Sequence, residues 1–129
     1  MKVQSIIVAI WLLVGCTDAT KELGSGYFLS IEGESANAIF NRGPDVDGIP
    51  PSVLRYGYNS KFIIAEQRPN RFNDVMYDAI DYSNGREAMY YWIILKESKT
   101  VLGPFNKSEF QQLREKYKVP AGLELKDVY

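Results

Sequence analysis

Apolar residues along this chain repeat with two periods, and each period marks a kind of element. Over residues 26–32 the period is two. Tyr27, Leu29 and Ile31 share one face, and Phe28, Ser30 and Glu32 share the other, which predicts a strand. Gly33-Glu34-Ser35 turns the chain, and residues 37–41 return as its partner. Residues 42–51 read as a loop punctuated by Gly43-Pro44, Gly48 and Pro50-Pro51. Residues 53–58 and 61–67 form a hairpin across the two-residue link Asn59-Ser60. Phe62-Ile63-Ile64-Ala65 is apolar on both faces, which suits a central strand ending at Pro69. Residues 89–97 carry the strongest strand pattern. Ser98-Lys99 turns it, residues 100–102 return, and Gly103-Pro104 closes the pair. Glycine there permits a sharp exit, and proline fixes the backbone entering Phe105.

The helical period occurs twice. Phe72, Val75, Met76, Ala79 and Ile80 fall at i, i+3, i+4, i+7 and i+8, which predicts a helix over 72–82. Asn73 or Asp74 would cap it and Asn84-Gly85 would stop it. Residues 106–118 form the second helix, with Asn106 and Glu109 as a capping box and Phe105 stapling to Phe110. Phe110, Leu113 and Tyr117 line its apolar face, and Pro120 and Gly122 end it. Residues 123–129 add a short edge strand. The expected fold class is α+β: an antiparallel sheet of about five strands, a C-terminal helix packed on it and a short middle helix.

The first 15 residues follow a different logic. Lys2 supplies a positive start, residues 6–14 are an unbroken apolar run, and small Gly15 precedes Cys16. That is the layout of a secretory signal. The run is too short for a comfortable membrane span, which needs about 20 residues. Leu13-Val14-Gly15-Cys16 resembles the lipobox of bacterial lipoproteins. The resemblance implies cleavage before Cys16 and a diacylglycerol on its sulfur. Two or three acyl chains make stable anchoring where one is marginal. The expected organisation is a signal over 1–15, a lipidated Cys16 with a polar tether to residue 25, and one globular domain over 26–129. The expected place is the cell envelope, held to the membrane by the lipid. Thr17 directly after the cysteine leans towards the periplasmic face of the outer membrane in a Gram-negative cell.

Composition then removes whole classes of chemistry. The chain has no histidine and one cysteine. An intramolecular disulfide needs a second cysteine, a structural zinc site needs several Cys or His ligands, and a His-based triad needs its histidine. No cofactor is expected. The 15 Lys and Arg against 16 Asp and Glu become 14 against 16 once Lys2 leaves with the signal. A slightly acidic domain lacks the electrostatic footprint for phosphate backbones, so nucleic acid is not an expected partner.

Several residues invite a functional reading. Asp45-Val46-Asp47-Gly48 has the start of a calcium loop, but Ile49-Pro50-Pro51 follows where further oxygen ligands belong. A solvated turn is the better reading. Asp74, Asp78 and Asp81 fall at i, i+4 and i+7 and would make an acidic strip on the middle helix. Asp45, Asp47, Asp74 and Asp78 together are the candidate partner surface. Tyr90 and Trp92 share one strand face and Tyr91 takes the other, so at least one face belongs to the core; Trp92 is assigned to packing. Tyr56 and Tyr58 also share a face. Segments 43–51, 68–74 and 84–87 are candidate interaction loops.

The order Phe62-Ile-Ile-Ala-Glu-Gln67 with Pro69, Tyr91-Trp-Ile-Ile-Leu95, Gly103-Pro-Phe105, then Glu109-Phe110 with Leu113-Arg114 resembles a family of short bacterial lipoproteins whose domain has no assigned function. The resemblance spans about residues 25–125. It implies a fold and no site. The leading expectation is a non-catalytic binding module in the envelope, with a protein partner, of which an immunity protein against an incoming toxin is a special case. A structural component for envelope assembly or stress resistance ranks behind it, and a His-free envelope hydrolase last.

Overall fold

The computed structural model describes residues 19–33, 36–69 and 80–129. Its elements run β1 (Ala19–Gly24), β2 (Tyr27–Ile31), β3 (Ala38–Asn41), β4 (Val53–Tyr58), β5 (Phe62–Gln67), β6 (Tyr90–Leu95), β7 (Thr100–Phe105), α1 (Lys107–Lys116) and β8 (Lys126–Asp127). They build two antiparallel sheets rather than one. β1-β2-β3 form a three-stranded sheet, and β7-β6-β5-β4-β8 form a five-stranded sheet.

Three layers result, and the residues of β5 and β6 explain why. Ile63 and Ala65 of β5, with Trp92 and Ile94 of β6, meet Leu23, Tyr27, Leu29 and Ile39 of the small sheet in one core. Ile64, Tyr91 and Ile93 point the other way and meet Phe110 of α1 and Val119 in a second core. Successive side chains on a strand alternate faces. A strand with apolar residues at every position must therefore be covered on both sides, and here it is: residues 63–67 and 90–94 are all buried.

The expected hairpin of β4 and β5 forms, but its two-residue link is Ser60-Lys61, because the Asn59 amide donates to the Phe62 carbonyl at 3.0 Å. The Asn59 side-chain oxygen accepts the amides of Lys61 and Phe62, both at 2.8 Å, which fixes the turn locally. The capping box also forms: Asn106 Oδ1 accepts from the Glu109 amide at 2.8 Å, and Glu109 Oε1 accepts from the Asn106 amide at 3.0 Å. Phe105 packs into the same core as Phe110, as the staple requires.

Three expectations need correction. The fold is mostly β, with a second sheet that the alternation patterns did not separate from the first. Residues 19–24, expected within the tether, are strand β1, paired with β2 from Ala19↔Ile31 to Gly24↔Tyr27. It is an edge strand with only Leu23 buried, so it carries almost no apolar signal. The helix is not C-terminal. Val119, Leu123 and Leu125 continue across the helix-side core, and β8 pairs Asp127 with Arg55 of β4. The Arg114 guanidinium holds that return by donating to the carbonyls of Pro120 and Leu123, both at 2.7 Å. The middle helix expected over 72–82 lies mainly outside the described residues; its described end, residues 80–82, is irregular.

Loop 42–51 is pinned rather than loose. Ile39 and Ile49 exchange backbone hydrogen bonds at 3.0 and 2.8 Å. The turn leading there is tight: a Cβ on Gly48 would stand 2.0 Å from the Ile39 carbonyl oxygen. Replacing Gly48 with alanine must break this bridge, so Gly48→Ala is expected to cost about 1–3 kcal/mol, read as a lower midpoint in thermal unfolding.

One ion pair is embedded in the helix side of the large sheet. Arg55 donates to both Glu66 oxygens, at 3.0 and 2.6 Å, and the Glu66 side chain is only 7% exposed. The Arg55 bonds hold the Glu66 pKa below its ordinary 4.5, against the opposing effect of burial. A carboxylate with a depressed folded pKa stabilises the fold above the unfolded value, and that contribution is lost as pH falls through the folded one. Glu66→Gln should therefore be less stable near pH 7 by about 1–2 kcal/mol, discounted for the partly exposed Arg55. Its stability should also fall less steeply than the parent's below pH 4.5. Denaturant titrations at pH 3, 5 and 7 measure both.

Candidate functional site

Gln67 ends β5 with no exposure at all. A buried amide is tolerated when its donors and acceptor are filled. Its nitrogen donates to the Pro51 carbonyl at 2.7 Å and the Tyr82 hydroxyl at 2.8 Å, and its oxygen accepts the Trp92 indole N–H at 2.7 Å. One side chain thus joins loop 42–51, the segment after residue 80 and β6. Tyr82 also packs against Tyr90, with ring centroids 4.9 Å apart. The Tyr90 hydroxyl donates to the Gly85 carbonyl at 2.6 Å and accepts the Asn84 amide at 3.0 Å. Segment 80–85 is fastened to the sheet by these contacts.

Beside this network lies a cleft of about 430 Å³. β3 contributes Ile39 and Phe40 to its lining, and loop 42–51 contributes Asp47, Gly48 and Pro50. β6 and β7 contribute Trp92, Val101, Gly103 and Pro104, and Ile80 and Asp81 line it as well. Gly103 has φ +141, and a Cβ there would stand 2.7 Å from the Trp92 ring, so the strand edge closes directly over the indole. Among the described residues the lining is mainly apolar, with Phe40 and Trp92 as its aromatics and exposed Asp47 and Asp81 as its acidic members. Such a surface fits a ligand with a cationic group beside apolar parts.

Tyr27 underlies this region from the small sheet. Its hydroxyl is buried without a hydrogen-bond partner among the described residues. Burial first, and then the Asp47 charge, raise its pKa above the ordinary tyrosine value.

A second, smaller groove of about 220 Å³ lies at the far side of β4. Tyr56 and Tyr58 stand nearly parallel, 6.3 Å apart, and Lys21 Nζ lies 5.6 Å from each ring. Behind them Lys96 is buried. Its ammonium donates to the carbonyls of Leu23 and Asn59 and lies 5.4 Å from the Tyr58 ring. Burial pushes its pKa down. These contacts staple β1 to the β4–β5 turn and give Lys96 a structural role.

Of the acidic residues singled out from sequence, Asp47 lies on the cleft and Asp45 is exposed in the adjacent turn with φ +57. Asp74 and Asp78 lie outside the described residues. Asp81, read only as the third position of a helical strip, lines the same cleft as Asp47. No local pattern connects residues so far apart in the chain. Trp92 packs in the core between the sheets, and Tyr91 in the core under the helix, so both faces of β6 are interior. Among the described residues no group of three or more His, Cys, Asp or Glu is placed to hold a metal ion, and no helix is long and apolar enough to cross a membrane.

With this geometry in view, comparison places the chain among known sequences. It belongs to DUF3997, a family of proteins of unknown function, whose model matches residues 25–129. No curated protein and no solved structure matches it. The match begins just after β1, so the strand that completes the small sheet precedes it.

The Gln67 network makes a direct prediction. Trp92→Phe keeps an aromatic ring but leaves the buried Gln67 oxygen without its donor, at a cost of about 1–3 kcal/mol. Chemical denaturation should show that loss, and Gln67→Leu combined with Trp92→Phe should recover part of it.

Proposed function

We infer that this protein is a lipid-anchored bacterial envelope module that binds a protein partner without catalysis. Two supports come from different parts of the chain. The signal pattern ending in Leu13-Val14-Gly15-Cys16 supplies the anchor, with Cys16 as the lipidated residue and the periplasmic face of the outer membrane as its place in a Gram-negative cell. The cleft supplies the binding surface. The observation that carries the reading is the convergence of Asp47 and Asp81 on an apolar pocket with Trp92, Phe40, Pro50 and Pro104 in its lining. The partner it suits is a protein segment presenting a lysine or arginine flanked by apolar side chains. Apolar contact would supply affinity, and the carboxylates would set orientation and association rate.

The test is a pull-down of the anchored protein from its native envelope, with Cys16→Ser as the mislocalised control. One stoichiometric partner is expected, absent from the control. Asp47→Asn with Asp81→Asn should weaken its binding by about tenfold, the scale of roughly 1.4 kcal/mol, and should flatten the salt dependence. A partner held equally by the double variant would exclude the cleft as the binding surface.

A further inference from the structure

The anchor and β1 are closer than a tether would make them. Only Thr17 and Asp18 separate Cys16 from Ala19, where β1 begins. A chain spans at most about 3.6 Å per residue, so Ala19 lies within about 11 Å of Cys16. The headgroup region on each side of a bilayer is itself about 5–7 Å deep. β1 has no freedom to act as a stalk. It is paired along its length with β2, Leu23 is buried in the core, and Lys96 clasps the Leu23 carbonyl.

The end of the molecule that this places at the bilayer has a definite chemistry. Ala19 pairs with Ile31. The next residue, Glu32, donates its amide to Asn37 Oδ1 at 3.1 Å, and Asn37 Nδ2 donates to the Tyr129 hydroxyl at 3.3 Å. Tyr129 is 69% exposed, the largest exposure of any large hydrophobic residue among those described. The Asn37 bond holds it at the Ala19 end. A tyrosine with an apolar ring and a polar tip is the side chain that favours the membrane–water boundary. Exposed Glu32 at the same end argues against attraction to anionic lipid, so the contact is interfacial and not one of charge.

We propose that the domain sits directly on the bilayer, with the Ala19 end of the three-stranded sheet at the headgroups and the Tyr129 ring inserted among them. This rests on the lipid-anchor reading of Cys16. The turn at Ser25, at the opposite end of β1, then points away from the membrane.

The test uses the mature lipidated protein in vesicles of phosphatidylcholine and phosphatidylethanolamine carrying a brominated lipid. Glu32→Trp and Ser25→Trp variants report the two ends against the buried Trp92 background of the parent, the first leaving the Asn37–Tyr129 bond in place. Intact mass establishes the acyl chains, and thermal unfolding establishes the fold. The Glu32→Trp emission should be quenched at least twofold more than the Ser25→Trp emission. Inserting a flexible Gly-Ser segment of about 12 residues after Asp18 should reduce the difference. Equal quenching at the two positions in a protein of lipidated mass would overturn the seating while leaving the anchor intact. A mass without acyl chains would overturn the anchor, and the seating with it.

Discussion

Gln67 is a fully buried polar side chain where three stretches of the chain meet. Water cannot reach it, so its hydrogen bonds must come from the protein. They come from three separate stretches: Pro51, Tyr82 and Trp92. Apolar packing is non-directional and would accept many offsets between these stretches. A saturated amide accepts few. Its geometry therefore fixes where loop 42–51 and segment 80–85 stand relative to β6. The cleft exists because those pieces stand apart while their bases are joined. Remove the amide and the Ile39–Ile49 and Tyr90–Gly85 bonds still fasten each piece to its own strand, but the bonds that tie Pro51, Tyr82 and Trp92 to one point are lost.

The local elements were legible in the sequence because local chemistry made them. Asn106 and Glu109 cap each other across three residues, and Asn59 closes its own turn. Residues 62–65 were recognisable as a central strand, and residues 89–97 as the strongest strand with at least one face in the core, from their unbroken apolarity. What covers each face was not recognisable, because an isoleucine looks the same facing a sheet or a helix. β1 escaped notice for the opposite reason. Its Thr20, Lys21 and Glu22 are exposed, and edge strands are free to be polar. Its place is decided by long-range contacts such as Lys96 to the Leu23 carbonyl, and these leave no mark in residues 19–24 themselves.

The candidate site shows the same division. Asp47 was visible as a loop carboxylate and Trp92 as a packed aromatic. Their meeting with Asp81 and Phe40 depends on sheet packing and on the Gln67 junction, which are properties of the folded chain. The closeness of Gly103 to the indole is likewise invisible in the dipeptide Gly-Pro; the strand exit expected there is a register shift inside β7, which pairs on to Phe105.

The proposed anchor and the cleft would be linked through the small sheet. β1 carries the chain from Cys16, and β3, two strands away in the same sheet, lends Ile39 and Phe40 to the cleft. The sheet is held to the rest by its buried face and by the Lys96 clasp. Under the proposed anchoring, the cleft cannot swing on a long leash; it stands at one height and in one orientation above the lipid. A partner would then meet it within a shallow layer next to the membrane. Such confinement raises effective concentration for anything else held to that surface. A short anchor thus favours a membrane-bound or membrane-crossing partner over one diffusing freely in solution.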